Sequence, residues 1–241
     1  AAQVAVAYQQ RRLTEAADAA ATVAEVDRTR AALLNAVSHD LQSPLTAIHA
    51  ASDGLLSPSL ELDDADRADL LETIRLETAR LERLVANLLD LSRLEAGAAL
   101  PQRELWPVDE LVSRALEALG PEAVRVTVEL DQDLPLVSVD AGQLERVLVN
   151  VLENALRLSS PTDPVALVGT STGDDVSIRI SDRGPGLDKE EVERIFEAFE
   201  HGGGAGHGTG LGLAIARGFA EANGGRLTAE ARSGAGAAFV L

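Results

Sequence analysis

The chain has 241 residues, 46% of them hydrophobic and 2% aromatic, with 39 acidic against 21 basic side chains and a formal net charge of -18. This length fits one large domain or two ordinary ones, and the apolar share excludes global disorder, with a core built from Ala, Leu and Val. The acidity argues against nucleic-acid binding, and the absence of cysteine excludes disulfides, thiolate metal sites and Cys nucleophiles.

Residues 1–30 are rich in Ala, Gln, Arg and Glu and free of Gly and Pro, which predicts a helix. It runs on without a break. Val23, Val26, Arg30, Leu33 or Leu34, Val37, Leu41, Leu45, Ile48, Ser52 and Leu55 recur at spacings of three and four, a heptad-like seam. The stretch LLSPSLELDD reads as a turn. A second helix is predicted from about Asp64 to Glu95, striped by Leu70, Leu71, Ile74, Leu81, Leu84, Val85, Leu88, Leu91 and Leu94, with Gly97 as its C′ stop. One such αα-hairpin has too little core, and two copies would make a four-helix bundle, so a homodimer is expected. Pro44 interrupts the first helix at a cost of about 3 kcal/mol and is expected to act as a hinge.

Beyond Gly97 the texture changes. GAALPQRELWP reads as a linker and VDELVSRALEAL as a short amphipathic helix. VRVTVEL alternates with period two and LPLVSV is a shorter strand. DAGQLERVLVNVLENALRLS is a helix with Asp140 as N-cap. PVALVGTSTGDDVSIRISD is a hairpin around a Gly-Asp turn. A glycine-rich stretch from Gly184 to Gly212 leads to a helix ending near Ala222, a turn at NGG and two closing strands. This order predicts an α+β layer with helices on one face of a mixed sheet. No apolar run of 18 residues and no signal peptide are visible, so no membrane segment is expected. Without methionine, the chain is expected to be a piece of a longer protein.

Within SHDLQSPLT, His39 lies about 160–200° from Val37 and Leu41 around a helix, away from the seam and in solvent. Alone, such a histidine reads more readily as a solvated surface residue. Read as a nucleophile, it offers a neutral imidazole near pH 7, because its unperturbed pKa is about 6.5. Asp40 could fix its tautomer or take its proton. Adjacent helical residues do not face each other, so that pairing needs a distortion, and Pro44 supplies one by offering no N–H to the Asp40 carbonyl. Ser43, four residues on, shares the face of His39.

NVLENA places Asn150 and Asn154 on one helix face, where two carboxamides can hold a cation and phosphate oxygens or simply meet solvent. DRGPG puts Asp182, Gly184 and Gly186 after a strand; glycines let a ligand approach the backbone, and Asp182 can accept a hydrogen bond from an amine. HGTGLGLAI brings Gly208, Gly210 and Gly212 to a helix start, where backbone N–H groups bind phosphate. A glycine repeat by itself is as often a tight turn.

In order and spacing, these stretches resemble the transmitter region of two-component sensor histidine kinases. SHDLQSPLT resembles the phosphoacceptor motif of that family. NVLENA, DRGPG, IFEAF and GHGTGLGLAIARGFAEANGG resemble its ATP-binding boxes, and the match runs from about Arg28 to Leu241. The leading helix and AALLNAVSHDL look most like the potassium-responsive Kdp-type kinases. The resemblance implies four parts. Residues 1–30 would be a signal-input helix and 31–97 a dimerising phosphoacceptor hairpin. Residues 98–107 would be a linker and 108–241 an α/β sandwich of the histidine kinase/gyrase type.

It further implies that His39 accepts the γ-phosphoryl group of ATP on Nε2, assisted by Asp40, with Ser43 orienting water for dephosphorylation of the partner. Asn154 would bind Mg²⁺, with Asn150 beside it. Asp182 would bond the adenine amine, and Gly184 and Gly186 would shape its pocket. Gly208, Thr209, Gly210, Leu211 and Gly212 would follow the triphosphate, Phe196 and Phe199 would anchor the lid edge, and Glu153 and Arg157 complete the nucleotide set. The phosphoryl group would pass to a response-regulator receiver domain. A cytoplasmic bacterial protein with a membrane-tied parent is expected.

Several positions depart from the family pattern. Gln42 stands where Arg is frequent, Ser43 where Thr or Asn is usual, and Leu158 where an aromatic is common. The stretch from Glu197 to Gly210 has neither Lys nor Arg, so either ATP affinity is modest or another cation, such as Arg157 or Arg194, serves the γ-phosphate. Two rivals share the motifs. One is an ATPase resembling gyrase or MutL, which needs a Glu where this chain has Asn150. The other is a signalling scaffold that binds nucleotide without phosphotransfer.

Overall fold

The computed structural model describes residues 38, 40–57, 60, 62–173, 175–188, 190–199, 210–231 and 236–241. The expected input helix, the seam upstream of Ser38, His39, Gly208 and Thr209 lie outside the described residues. The chain forms two compact units, one ending at Glu82 and one running from Arg83 to Leu241.

In the first unit, a helix over residues 40–56 (α1) precedes a second over Asp64–Glu95 (α2). The entry to α2 is held by a reciprocal pair. The Asp66 N–H donates to Asp63 Oδ1 at 2.7 Å and the Asp63 N–H to Asp66 Oδ2 at 3.2 Å, the logic of a capping box. Helical assignment continues through Pro44, which is buried, as is Ala51. Gly54 lies close to α2: a Cβ there would come within 3.3 Å of Leu70. Leu45 and Leu71, read above as seam positions, are exposed within one chain. A hairpin has only one inner edge, so an apolar stripe wider than that edge stays uncovered.

The second unit begins with the last turns of α2. They close in a Schellman arrangement: the Gly97 N–H donates to Leu94 O (3.0 Å) and the Ala98 N–H to Arg93 O (2.8 Å), with Gly97 at φ 63. The segment expected to be a linker contains a strand, β1 (Glu104–Trp106), antiparallel to β3 (Val137–Val139). Three residues are too short for a period-two signal, and the pairing partner lies over thirty residues away. Helix α3 (Val108–Leu119) buries Val108, Leu111, Val112 and Ala115, a one-sided spacing of three and four. A 3₁₀ turn over Gly120–Arg125 takes the first two residues of the expected strand, leaving β2 as Val126–Leu130.

Helix α4 (Ala141–Leu158) is capped as expected, Asp140 Oδ1 accepting from the Gln143 N–H at 3.1 Å. A hairpin of β4 (Val165–Thr172) and β5 (Asp175–Ser181) follows, turning at Gly173 with φ 66. A short helix α5 (Glu191–Arg194), helix α6 (Gly212–Ala222) and strands β6 (Thr228–Glu230) and β7 (Ala238–Val240) complete the unit. The main sheet runs β2-β4-β5-β7-β6, parallel only between β2 and β4, so it is mixed as expected. Helices α4 and α6 pack together, and the core joins Leu148, Val151, Leu152, Ile215 and Phe219 to Leu167, Ile180 and Phe239. Phe196 meets Phe239 edge-on at 6.3 Å.

Two polar contacts tie elements of this unit together. Asp90, 8% exposed, lies 3.1 Å from an Arg146 nitrogen, an ion pair whose Oδ2 receives no well-aligned N–H. Asn223, in the NGG turn, is more fully bonded. Its Nδ2 donates to Gln143 Oε1 (2.8 Å) and Phe219 O (2.9 Å), and its Oδ1 accepts from the Asp140 N–H (2.8 Å). Asn223→Ala leaves the half-buried Asp140 N–H and Gln143 Oε1 without these partners at about 1–2 kcal/mol each, so a loss of about 2–4 kcal/mol is expected. Denaturant unfolding measures it. A midpoint equal to the native one would show that the three bonds carry no net stability.

Candidate functional site

The site grows from one face of α4. Asn150 is buried, and Asn154, one turn later, is half-buried. Nδ2 of Asn150 has no hydrogen-bond partner although it is shielded from solvent. A buried donor left unpaired costs about 1–3 kcal/mol, so such an atom marks a place where a ligand oxygen fits. Asn154 Oδ1 accepts from Arg157 Nη2 at 2.7 Å. Glu153 is exposed, as a residue one position away from Asn154 around the helix should be.

Helix α6 starts against this face. Gly212 sits so near Asn150 that a Cβ would lie 3.5 Å from Asn150 Oδ1. Leu211, buried at 1% exposure, occupies the N-cap position and offers no capping side chain. The start of α6, the positive end of its dipole, thus lies beside the Asn150 carboxamide, an arrangement that suits an anion.

Asp182 follows β5 and is 3% exposed. Its Oδ1 accepts from the Gly184 N–H at 2.7 Å and the Ala237 N–H at 3.2 Å, and its own N–H donates to Ala237 O at 3.0 Å. Oδ2 is equally shielded and has no partner. A carboxylate held this way, with one oxygen satisfied by backbone and the other unmet, is built to receive an external donor. Two glycines make the arrangement possible. A Cβ on Gly184 would meet Leu158 O at 2.8 Å, and a Cβ on Gly236, which has φ 86, would land on the Asp182 carbonyl. Gly186 sits at φ 83, a left-handed conformation that favours glycine.

The segment before the glycine run is anchored at both ends. The Phe199 N–H donates to Gly210 O at 2.9 Å, with Phe199 at φ 69 and Gly210 at φ 65. Phe196 is buried under the Arg217 guanidinium, whose carbon lies 3.8 Å from the ring centroid. Asp40 (half-buried) and Ser43 (exposed) belong to α1 in the first unit. Sequence reasoning missed Gly236, Ala237 and Ser159. The only signal for the first was a glycine just before a closing strand, and Ala237 acts through backbone atoms that no side-chain motif reports.

Residues 29–97 match the family described as His Kinase A (phospho-acceptor) domain, and residues 139–241 the one described as Histidine kinase-, DNA gyrase B-, and HSP90-like ATPase. Across 99% of its length the chain is 38% identical to the sensor protein KdpD of Mycobacterium tuberculosis, and it spans 29% of that relative. Among solved structures, full-length ShkA in complex with AMPPNP aligns with a TM-score of 0.63 and 26% identity, over 86% of this chain and 44% of that one. Histidine kinase ThkA in complex with response regulator protein TrrA aligns at 0.61 and 23% identity, over 85% and 58%, a likeness of fold.

Proposed function

The chain belongs to the sensor histidine kinases, as a Kdp-type transmitter region with an ATP-binding domain, and from that premise we propose how its residues divide the work of phosphotransfer. His39 Nε2 forms a bond to the γ-phosphorus of ATP as the bond to the ADP oxygen breaks, and ADP leaves with that electron pair. Asp40 takes the imidazole proton. The phosphoryl group then passes to a receiver-domain aspartate of a response regulator, the chain acting as a homodimer. Ser43 keeps a hydroxyl that can orient water for hydrolysis of the partner's aspartyl phosphate, which releases inorganic phosphate.

The observation that carries this reading is Asp182: a buried carboxylate with one oxygen satisfied and the other unpaired, the match for the exocyclic amine of adenine. Gly184 and Gly186 shape the base pocket. Asn150 and the amides from Gly208 through Gly212, with Thr209 and Leu211, follow the phosphates. Asn154 Oδ1 is a hard oxygen donor of the kind Mg²⁺ takes. Mg²⁺, when bound, supplies charge neutralisation for the phosphates. Arg157, which donates to Asn154, or Arg194 is the cation offered to the γ-phosphate, since the stretch from Glu197 to Gly210 has neither Lys nor Arg. Asn150 has no basic group to activate water, which argues against efficient hydrolysis.

Among the described residues no helix is long and apolar enough to cross a membrane. A cytoplasmic setting and a membrane-tied parent belong to the same proposal. The test is incubation of the chain with γ-labelled ATP and Mg²⁺. Acid-labile, alkali-stable label on the protein that moves to an isolated receiver domain is the expected result. Nucleotide binding without label would favour the scaffold, and phosphate release without labelled protein the ATPase.

A further inference from the structure

The loop from Asp182 to Gly186 rests on Ser159, and the backbone at Ser159 on Arg125, two side chains to which phosphotransfer assigns no part. We propose that these are positioning residues for adenine selectivity, an inference that rests on reading Asp182 as the adenine acceptor. The seat of the loop is the C-terminus of α4. Ser159, the C-cap, is 7% exposed, and its Oγ accepts from the Arg183 N–H at 3.3 Å. One residue on, the backbone presses so close to the helix that a Cβ on Gly184 would meet both Leu158 O and Leu158 Cβ.

That helix end is itself held from outside. Arg125, at the end of the 3₁₀ turn, directs Nη2 to three carbonyls at the terminus of α4. It lies 3.3 Å from Leu156 O, 3.5 Å from Ser159 O and 2.9 Å from Ser160 O. A guanidinium there supplies donors for carbonyls that have no partner within the helix, and it complements the negative end of the dipole. Glu122 steadies it from the same turn at 3.0 Å. The chain of contacts therefore runs from Arg125 to the α4 terminus, through Ser159 Oγ to the Arg183 amide, and so to Asp182 on one side and Gly184 on the other.

This seat sets the base pocket relative to the phosphate end. Asn150, Asn154 and the start of α6 are referenced to the body of α4, whereas Asp182 reaches α4 through the loop. Loosening the seat shifts the Asp182 carboxylate against the base and leaves the phosphate end in place. A site with a fixed acceptor accepts the adenine amine and rejects the guanine carbonyl, and it loses that discrimination when the acceptor is free to move.

The experiment measures equilibrium binding of ADP and GDP to the 241-residue chain, with inorganic tripolyphosphate as a competitor that lacks a base. The variants are Ser159→Ala, Ser159→Thr and Arg125→Ala. The ADP-to-GDP preference is expected to fall by about tenfold in Ser159→Ala and Arg125→Ala, an effect of the size one or two hydrogen bonds transmit. Tripolyphosphate affinity stays within about twofold, and Ser159→Thr, which keeps the hydroxyl, retains the native preference. An unchanged preference in both alanine variants overturns the inference alone, as does an equal weakening of all three ligands. A native chain that fails to prefer ADP overturns the adenine reading of Asp182, and the inference with it.

Discussion

A chain carrying His39→Gln is expected to bind adenine nucleotide as the native chain does and to acquire no acid-labile label. The two properties separate because they reside in different units. The residues proposed to hold nucleotide, Asn150, Asn154, Asp182 and Gly212, all lie beyond Arg83, and position 39 lies before Glu82. Glutamine is similar in reach to histidine and polar at its end, so the substitution changes size and polarity little. Its amide nitrogen is not nucleophilic, since its lone pair is delocalised into the carbonyl. Loss of label is therefore complete rather than partial. The chain has three other histidines, of which His49 is exposed on α1. Ten residues beyond position 39, it would fall about 80° away around a continuous helix. Label that survives His39→Gln and disappears with His49→Gln would move the phosphoacceptor and end the reading of SHDLQSPLT offered above.

Gly236→Ala is expected to have the largest effect in the second unit. The residue sits at φ 86, where an L side chain costs about 1–2 kcal/mol in backbone strain alone. Its Cβ would also land on the Asp182 carbonyl, a backbone group that cannot rotate away. Relief requires Ala237 to withdraw from Asp182, which breaks two hydrogen bonds of about 1 kcal/mol each. The sum is about 3–4 kcal/mol of domain stability. ADP affinity should fall by more than about tenfold, because the freed carboxylate no longer points one oxygen at the base. Gly173→Ala is the control. It has the same backbone sign at φ 66 but open space around its Cβ, so it should cost about 1 kcal/mol and leave ADP binding alone. Isothermal titration of both variants decides the matter. Equal ADP affinity for the native chain and Gly236→Ala would show that the Ala237 amide does not orient Asp182.

The proline that stands in α1 illustrates how far local reasoning reaches. Its missing N–H and ring predict a weak point beside Asp40, yet the helix continues through it and Pro44 is buried. Burial of the ring against its surroundings is a tertiary gain that propensity does not contain. Whether Pro44 bends during signalling is a separate question that kinase and phosphatase rates of Pro44→Ala would answer.

Other parts of the chain follow directly from residue order. Helix α2 has the predicted limits because an acidic cap opens it, a leucine stripe sustains it and Gly97 closes it, all short-range effects. Asp140 caps α4 for the same reason, and Asn150 and Asn154 share a face because 3.6 residues make a turn. The β4–β5 hairpin is equally local. What the order of residues did not contain was distance in space between remote segments. Strand β1 exists only because β3 pairs with it, and the last turns of α2 belong with the nucleotide-binding unit because Leu88, Leu91 and Leu94 find its core. Asp182 was visible as a motif, but its carboxylate is held by an amide at Ala237 and its loop by the hydroxyl of Ser159, 55 and 23 residues away. Motifs record side chains at fixed spacing. The backbone donors and close approaches that aim those side chains come into being only when the sheet closes.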